Sequence, residues 1–223
     1  ALNPGVEVVT HRVRLDAGNA REILAPYHVI VNGSDNFPTR DLLSDACVLL
    51  GKPLVDAAIL RWEGMMTVFA PGHGCYRCLF PQPPPPGAVP SCAEAGILGA
   101  VAGHLGALQA VETLKPLLGI GRPLPRRLLL LDTRQGEHRI IRWSRNPACA
   151  ACGDAPAIRD LIDYELFCGL GGETREEVGS AEPVVEVDPP TLARLCQDRG
   201  TGAPLPFQLI DVRELEEFRA GHL

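Results

Sequence analysis

Two Cys-x-x-Cys pairs, Cys75-Tyr-Arg-Cys78 and Cys149-Ala-Ala-Cys152, restrict what this chain can fold into more than any other feature of it. A Cys-x-x-Cys turn presents two thiolates on one face, and two such turns supply the tetrahedral sulfur set that Zn²⁺ takes in structural sites. About 70 residues lie between the pairs, so the fold must bring the middle of the chain to meet a much later segment. The metal would then be a structural staple with no open coordination position. The other cysteines, Cys47, Cys92, Cys168 and Cys196, lack ligand spacing. With no basic-then-apolar leader in view, metal is expected before disulfides, and a cytoplasmic setting is expected.

Around these pairs the pattern is that of an α/β protein. Val6–Val13, Tyr27–Val31, Pro53–Ile59 and Met65–Ala70 read as strands, and helical segments at about 19–25 and 38–50 separate the first three. Such alternation predicts a sheet with parallel strands. Pro83–Pro86 predicts an exposed connector, and Ile97, Val101, Leu105, Leu108 and Val111 fall at helical spacing within about 93–118. Arg127–Asp132 and Glu137–Trp143 predict an antiparallel hairpin. Regular patterning is lost over about 154–182, a linker composition, before a short helix at Thr191–Cys196 and a strand at Pro206–Ile210.

Charge divides along the same lines. The chain carries −6 overall, but residues 1–155 hold 15 Lys and Arg against 13 Asp and Glu, whereas residues 156–223 hold 6 against 14. That step predicts two units, and neither has the basic excess that a nucleic-acid or anionic-membrane binder would show. The longest uncharged run, Ala95–Val111, is shorter than the ~20 residues of a membrane-spanning helix.

Asp35 and Asn36 follow the apolar run Val29–Val31 at the expected carboxyl end of a strand, where open α/β sheets bind ligands. Asp35 could hold Mg²⁺ on a nucleotide phosphate and Arg40 could meet an anion; a helix cap and a surface arginine are the plain alternative. Cys92 follows Pro90-Ser91 and precedes the long helical segment. It is either a nucleophile whose thiol is acidified at a helix start or an ordinary packed cysteine.

The ordered set S-D-N-x-x-x-R at 34–40, G-K-P-L-V at 51–55, R-x-E-G-x-x-T-V-F at 61–69, C-Y-R-C-L-F-P at 75–81, C-x-E-A-G-I-L-G at 92–99, G-x-L-Q-A-x-E-x-L-K at 106–115 and R-N-P-x-C-x-x-C-G at 145–153 resembles the MoeB/ThiF family. These are bacterial relatives of ubiquitin-activating enzymes. The resemblance covers about residues 2–154. The tail, with Asp211-Val-Arg-Glu and Glu217-Phe-x-x-Gly-His222, resembles the opening of a rhodanese domain, as in MoeZ-like fusions.

The resemblance implies a Rossmann-like ThiF-type sheet domain with structural zinc over 1–154, a linker over 155–182, and the start of a rhodanese-like α/β domain over 183–223. It implies an adenylyltransferase that uses ATP and Mg²⁺ to activate the C-terminal glycine of a ubiquitin-like sulfur carrier of the MoaD/ThiS type. A cysteine desulfurase is the expected kind of sulfur donor, and a homodimer the expected assembly. By motif, Asp35 matches the aspartate near Mg²⁺-ATP, with Asn36 and Arg40 beside it. Cys75, Cys78, Cys149 and Cys152 match the zinc ligands, and Cys92 matches a cysteine that in some members bonds the carrier or handles sulfur. The family's glycine-rich ATP loop has no counterpart in these residues, so the chain is expected to be a fragment that does not adenylate alone. Two other functions fit the same residues: a non-catalytic zinc-stapled docking scaffold, or a sulfurtransferase carrying a persulfide on Cys92.

Overall fold

A computed structural model describes residues 3–121 and 123–169, all within one unit spanning 1–174. The expected elements at Thr191–Cys196 and Pro206–Ile210, with the whole rhodanese-like part, lie outside the described residues.

The fold is built on one βαβ unit. Strand β1 (Ile30–Asn32) leads into helix α2 (Phe37–Leu50), which follows the short α1 (Ala20–Leu24). Asn36 caps α2 by accepting the Thr39 N–H at 2.9 Å, Pro38 sits in the first turn where no amide is needed, and Gly51 (φ 64°) ends the helix in the left-handed region. Strand β2 (Leu54–Leu60) then returns parallel to β1, with Ile30 opposite Leu54.

From β2 onward the sheet is antiparallel. Strand β3 (Glu63–Phe69) pairs with β2, β4 (Arg127–Asp132) with β3, and β5 (Glu137–Arg142) with β4, giving the order β1-β2-β3-β4-β5. The expected parallel sheet is therefore a mixed one with a single parallel pair. Only Arg61 and Trp62 join β2 to β3, and a parallel return needs a crossover of about a dozen residues. The predicted β4–β5 hairpin is present.

Alternation along the strands divides the core. Leu54 and Phe69 face α1 and α2, packed with Leu42, Leu43 and Ala46; Val55, Met66, Val68 and Leu131 face α5 (Gly99–Leu118) through Leu105. Gln109 on α5 ties the layers by donating to the Asn32 carbonyl at 2.9 Å.

Three expectations change. Residues 6–13 form no strand: Val6, Val8, Val9 and Val13 are each more than half exposed, and among the described residues no strand lies beside them to complete a ladder. The helix expected over 93–118 is two, α4 (Cys92–Ala95) and α5, parted at Gly96 (φ 73°). Within the stretch expected as linker, α6 (Tyr164–Phe167) packs on α2 and buries Tyr164 and Cys168.

Candidate functional site

Helix α3 (Tyr76–Leu79) begins immediately after Cys75, and its single turn brings Cys75 and Cys78 to one side. Tyr76 anchors that turn in the core, edge-on to Phe69 with ring centroids 6.1 Å apart. The second turn is fixed by its own backbone: Gly153 N–H donates to the Cys149 carbonyl and Asp154 N–H to that of Pro147, both at 2.8 Å. The Arg145 guanidinium reaches the Cys152 carbonyl at 3.0 Å and Asp154 at 2.8 Å.

The two turns meet. Cys75 Sγ lies 3.6 Å from Cys149 Sγ, Cys78 Sγ lies 3.4 Å from Cys152 Sγ, and all four sulfurs fall within 4.8 Å of one another. A sulfur tetrahedron with metal–sulfur bonds of about 2.3 Å has edges of about 3.8 Å, so the set fits a tetrahedral ion. The separations are far longer than a disulfide bond of about 2.05 Å, and the thiols are free.

Protonation points the same way. Burial and the neighbouring sulfurs push the Cys75 thiol up, and burial with the Cys78 contact pushes Cys152 up to about 12. Burial also opposes ionisation of Cys149, but the N–H groups of Cys152 and Ala151 bring it below the ordinary thiol range. Four crowded thiols in this environment ionise together only beside a cation.

The residues expected at a nucleotide separate into two groups. Asp35 is exposed just beyond β1, and Asn36 is committed to capping α2. Arg40 points inward instead of meeting an anion. Its guanidinium pairs with Asp56 at 3.2 Å and donates to the Ala57 carbonyl at 2.9 Å, because the first turn of α2 faces β2. Burial pushes the Asp56 carboxyl up, against the pull of Arg40 and of Asn32, whose amide donates to it at 2.6 Å. A cavity of about 670 Å³ opens beside the same turns of α2, lined by Arg14, Leu15, Pro38, Leu42, Leu161 and Ile162 among others.

Cys92 is partly exposed and opens α4, held by a capping box between Ser91 and Glu94. That helix is one turn long, so Cys92 does not open the long helix expected after it. Cys47 lies in the core, and burial pushes its thiol up to about 12.

One buried cluster escaped the sequence reading. Arg77, between Cys75 and Cys78, donates through Nε and Nη2 to Asp45 at 2.9 and 2.8 Å and lies 3.8 Å from Asp41. Tyr164 donates to the same Asp45 at 2.8 Å, and Phe167 covers the guanidinium at 4.3 Å. Asp41 and Asp45, four residues apart on the apolar face of α2, were the available signal, since buried acids at helical spacing call for a buried cation.

Comparison with known proteins places this geometry. A sulfur carrier protein adenylyltransferase from Thermus thermophilus is 56% identical over 176 residues, covering 76% of this chain and 65% of that protein. The adenylyltransferase and sulfurtransferase MOCS3 of Caenorhabditis briggsae is 43% identical over 99% of this chain and 55% of its own length; that of Bos taurus is 46% identical over 95% and 46%. The chain thus spans about half to two thirds of the relatives it matches. The crystal structure of E. coli MccB shares the fold at 18% identity, with a TM-score of 0.51 over 61% of this chain and 43% of that one. The pattern of the ThiF family matches residues 1–151, and the chain belongs to that family.

Proposed function

We propose that this chain is part of an adenylyltransferase that activates the C-terminal glycine of a ubiquitin-like sulfur carrier. The observation that carries the reading is the 56% identity to a sulfur carrier protein adenylyltransferase across the domain that holds the four-cysteine centre. In this reading the carrier's carboxylate attacks the α-phosphorus of ATP and pyrophosphate leaves, so that an inert carboxylate becomes an acyl-adenylate. Asp35, exposed between the end of β1 and the first turn of α2, is suited to hold Mg²⁺ against the phosphates. Arg40 supports the site from beneath through Asp56 and makes no phosphate contact. Cys75, Cys78, Cys149 and Cys152 would hold Zn²⁺ as a structural ion that ties the two turns together.

Cys92 takes the later step. Its thiolate attacks the acyl-adenylate carbonyl, AMP leaves with the bonding electron pair, and a thioester to the carrier remains; a donor's sulfide-level sulfur then attacks that carbonyl and expels the Cys92 thiolate, leaving the thiocarboxylate. Asp35→Ala in the full-length protein is expected to lose both ATP–pyrophosphate exchange and thiocarboxylate formation. Cys92→Ala is expected to keep exchange and lose thiocarboxylate. Unimpaired exchange in Asp35→Ala removes the metal assignment, and a normal thiocarboxylate yield in Cys92→Ala returns Cys92 to packing.

A further inference from the structure

Asp45 is fully buried and accepts from two directions: Arg77, which belongs to the turn carrying Cys75 and Cys78, and Tyr164, which belongs to α6, beyond the second cysteine pair. Arg77 is itself only 4% exposed, and the Phe167 ring from α6 closes over it. The cluster is buried, so a lost partner leaves a charge both desolvated and unpaired; the position of Arg77 depends on α6, and the seat of α6 depends on Arg77. Arg77 in turn shares a four-residue helix with one sulfur ligand and follows the other by two positions.

We infer that Tyr164 and Phe167 are positioning residues for the metal centre, holding the Cys75–Cys78 turn in ligating geometry through Arg77 and Asp45. Because coupling between two equilibria is reciprocal, the bound metal also holds α6 on the domain. The segment after the second cysteine pair is then the outer wall of the metal module. The inference rests on the reading that the four cysteines hold Zn²⁺.

The test uses the zinc-loaded full chain and the rate of Zn²⁺ transfer to a chromogenic chelator. Tyr164→Phe keeps the ring and removes the hydroxyl, and release is expected to be roughly tenfold faster, the scale of losing a hydrogen bond to a buried charge. Phe167→Leu uncovers Arg77 by a second route and is expected to shift release in the same direction, whereas Leu166→Ala, at an exposed position of the same helix, leaves it unchanged. In the reverse direction, stripping the zinc is expected to speed amide exchange at 164–169 while β2 and β3 keep their protection. A general loss of stability would instead speed exchange in the strands too. Release rates in Tyr164→Phe and Phe167→Leu equal to wild type, or exchange at 164–169 indifferent to zinc, overturn the inference. A purified chain with no zinc at all overturns the metal reading on which it stands.

Discussion

Gly153 follows the last sulfur ligand and leaves no space for a side chain. A Cβ there would lie 2.4 Å from the Cys149 carbonyl oxygen and 2.5 Å from that of Pro147, both backbone atoms of the turn that presents the ligands. Gly153→Ala is therefore expected to destabilise the domain by about 1–3 kcal/mol, the usual range for overpacking, and to lower its zinc content. Urea denaturation and metal analysis check it; wild-type values for both would show that the turn adapts. Asp41 gives a second prediction of residue scale. Burial first, and then Asp45, raise its carboxyl from 3.8 to about 6 although Arg77 pulls the other way. Between those values the folded state binds more proton than the unfolded chain, so this residue's contribution to stability falls as pH rises from about 4 to about 6. Wild type is expected to lose stability relative to Asp41→Asn across that window and to run parallel to it above. Parallel curves throughout would refute the assignment. Among single residues the four clustered cysteines were legible because a two-residue gap between cysteines has few uses. Arg40 was not, because spacing puts it near the start of a helix without saying which way the first turn faces.

At the scale of elements, α2 and the β4–β5 hairpin were readable because their stop signals are local: a capping asparagine, a helix-ending glycine, a tight turn. Residues 6–13 misled for the opposite reason, since alternating valines specify a strand only when a neighbour supplies the other half of the ladder. Helix α5 is a third case. Its periodicity was plain, yet of its twenty residues only Val101, Leu105 and Glu112 are buried, while Val111, Leu114, Leu117 and Leu118 are each half exposed or more. We propose that a second copy of the domain covers this face, as the expected homodimer would require. Wild type is then expected to be a dimer in light scattering at micromolar concentration, and Leu114→Glu combined with Leu118→Glu to be monomeric. A wild-type protein already monomeric under those conditions would end the proposal.

For the whole molecule, the sequence carried the family and the meeting of the two cysteine pairs, because both rest on residue identities at fixed separations. It did not carry the sheet's direction after β2, which turns on a two-residue connection, or the role of α6, whose polar and glycine-rich surroundings resemble a linker until Tyr164 and Cys168 are seen against α2. The separation of the two halves of the metal centre also bears on how the protein is made. Cys75 and Cys78 leave the ribosome long before Cys149 and Cys152, by 74 residues from first ligand to third. At a synthesis rate of about 5–20 residues per second, the first pair waits roughly 4–15 seconds as an incomplete site. During that interval β1, α2, β2 and β3 can already pair, whereas two of the four thiols stand ready to take up an oxidant or a wrong partner. The order of translation thus leaves the nascent chain exposed to oxidation until Cys149 and Cys152 emerge and the two pairs can meet.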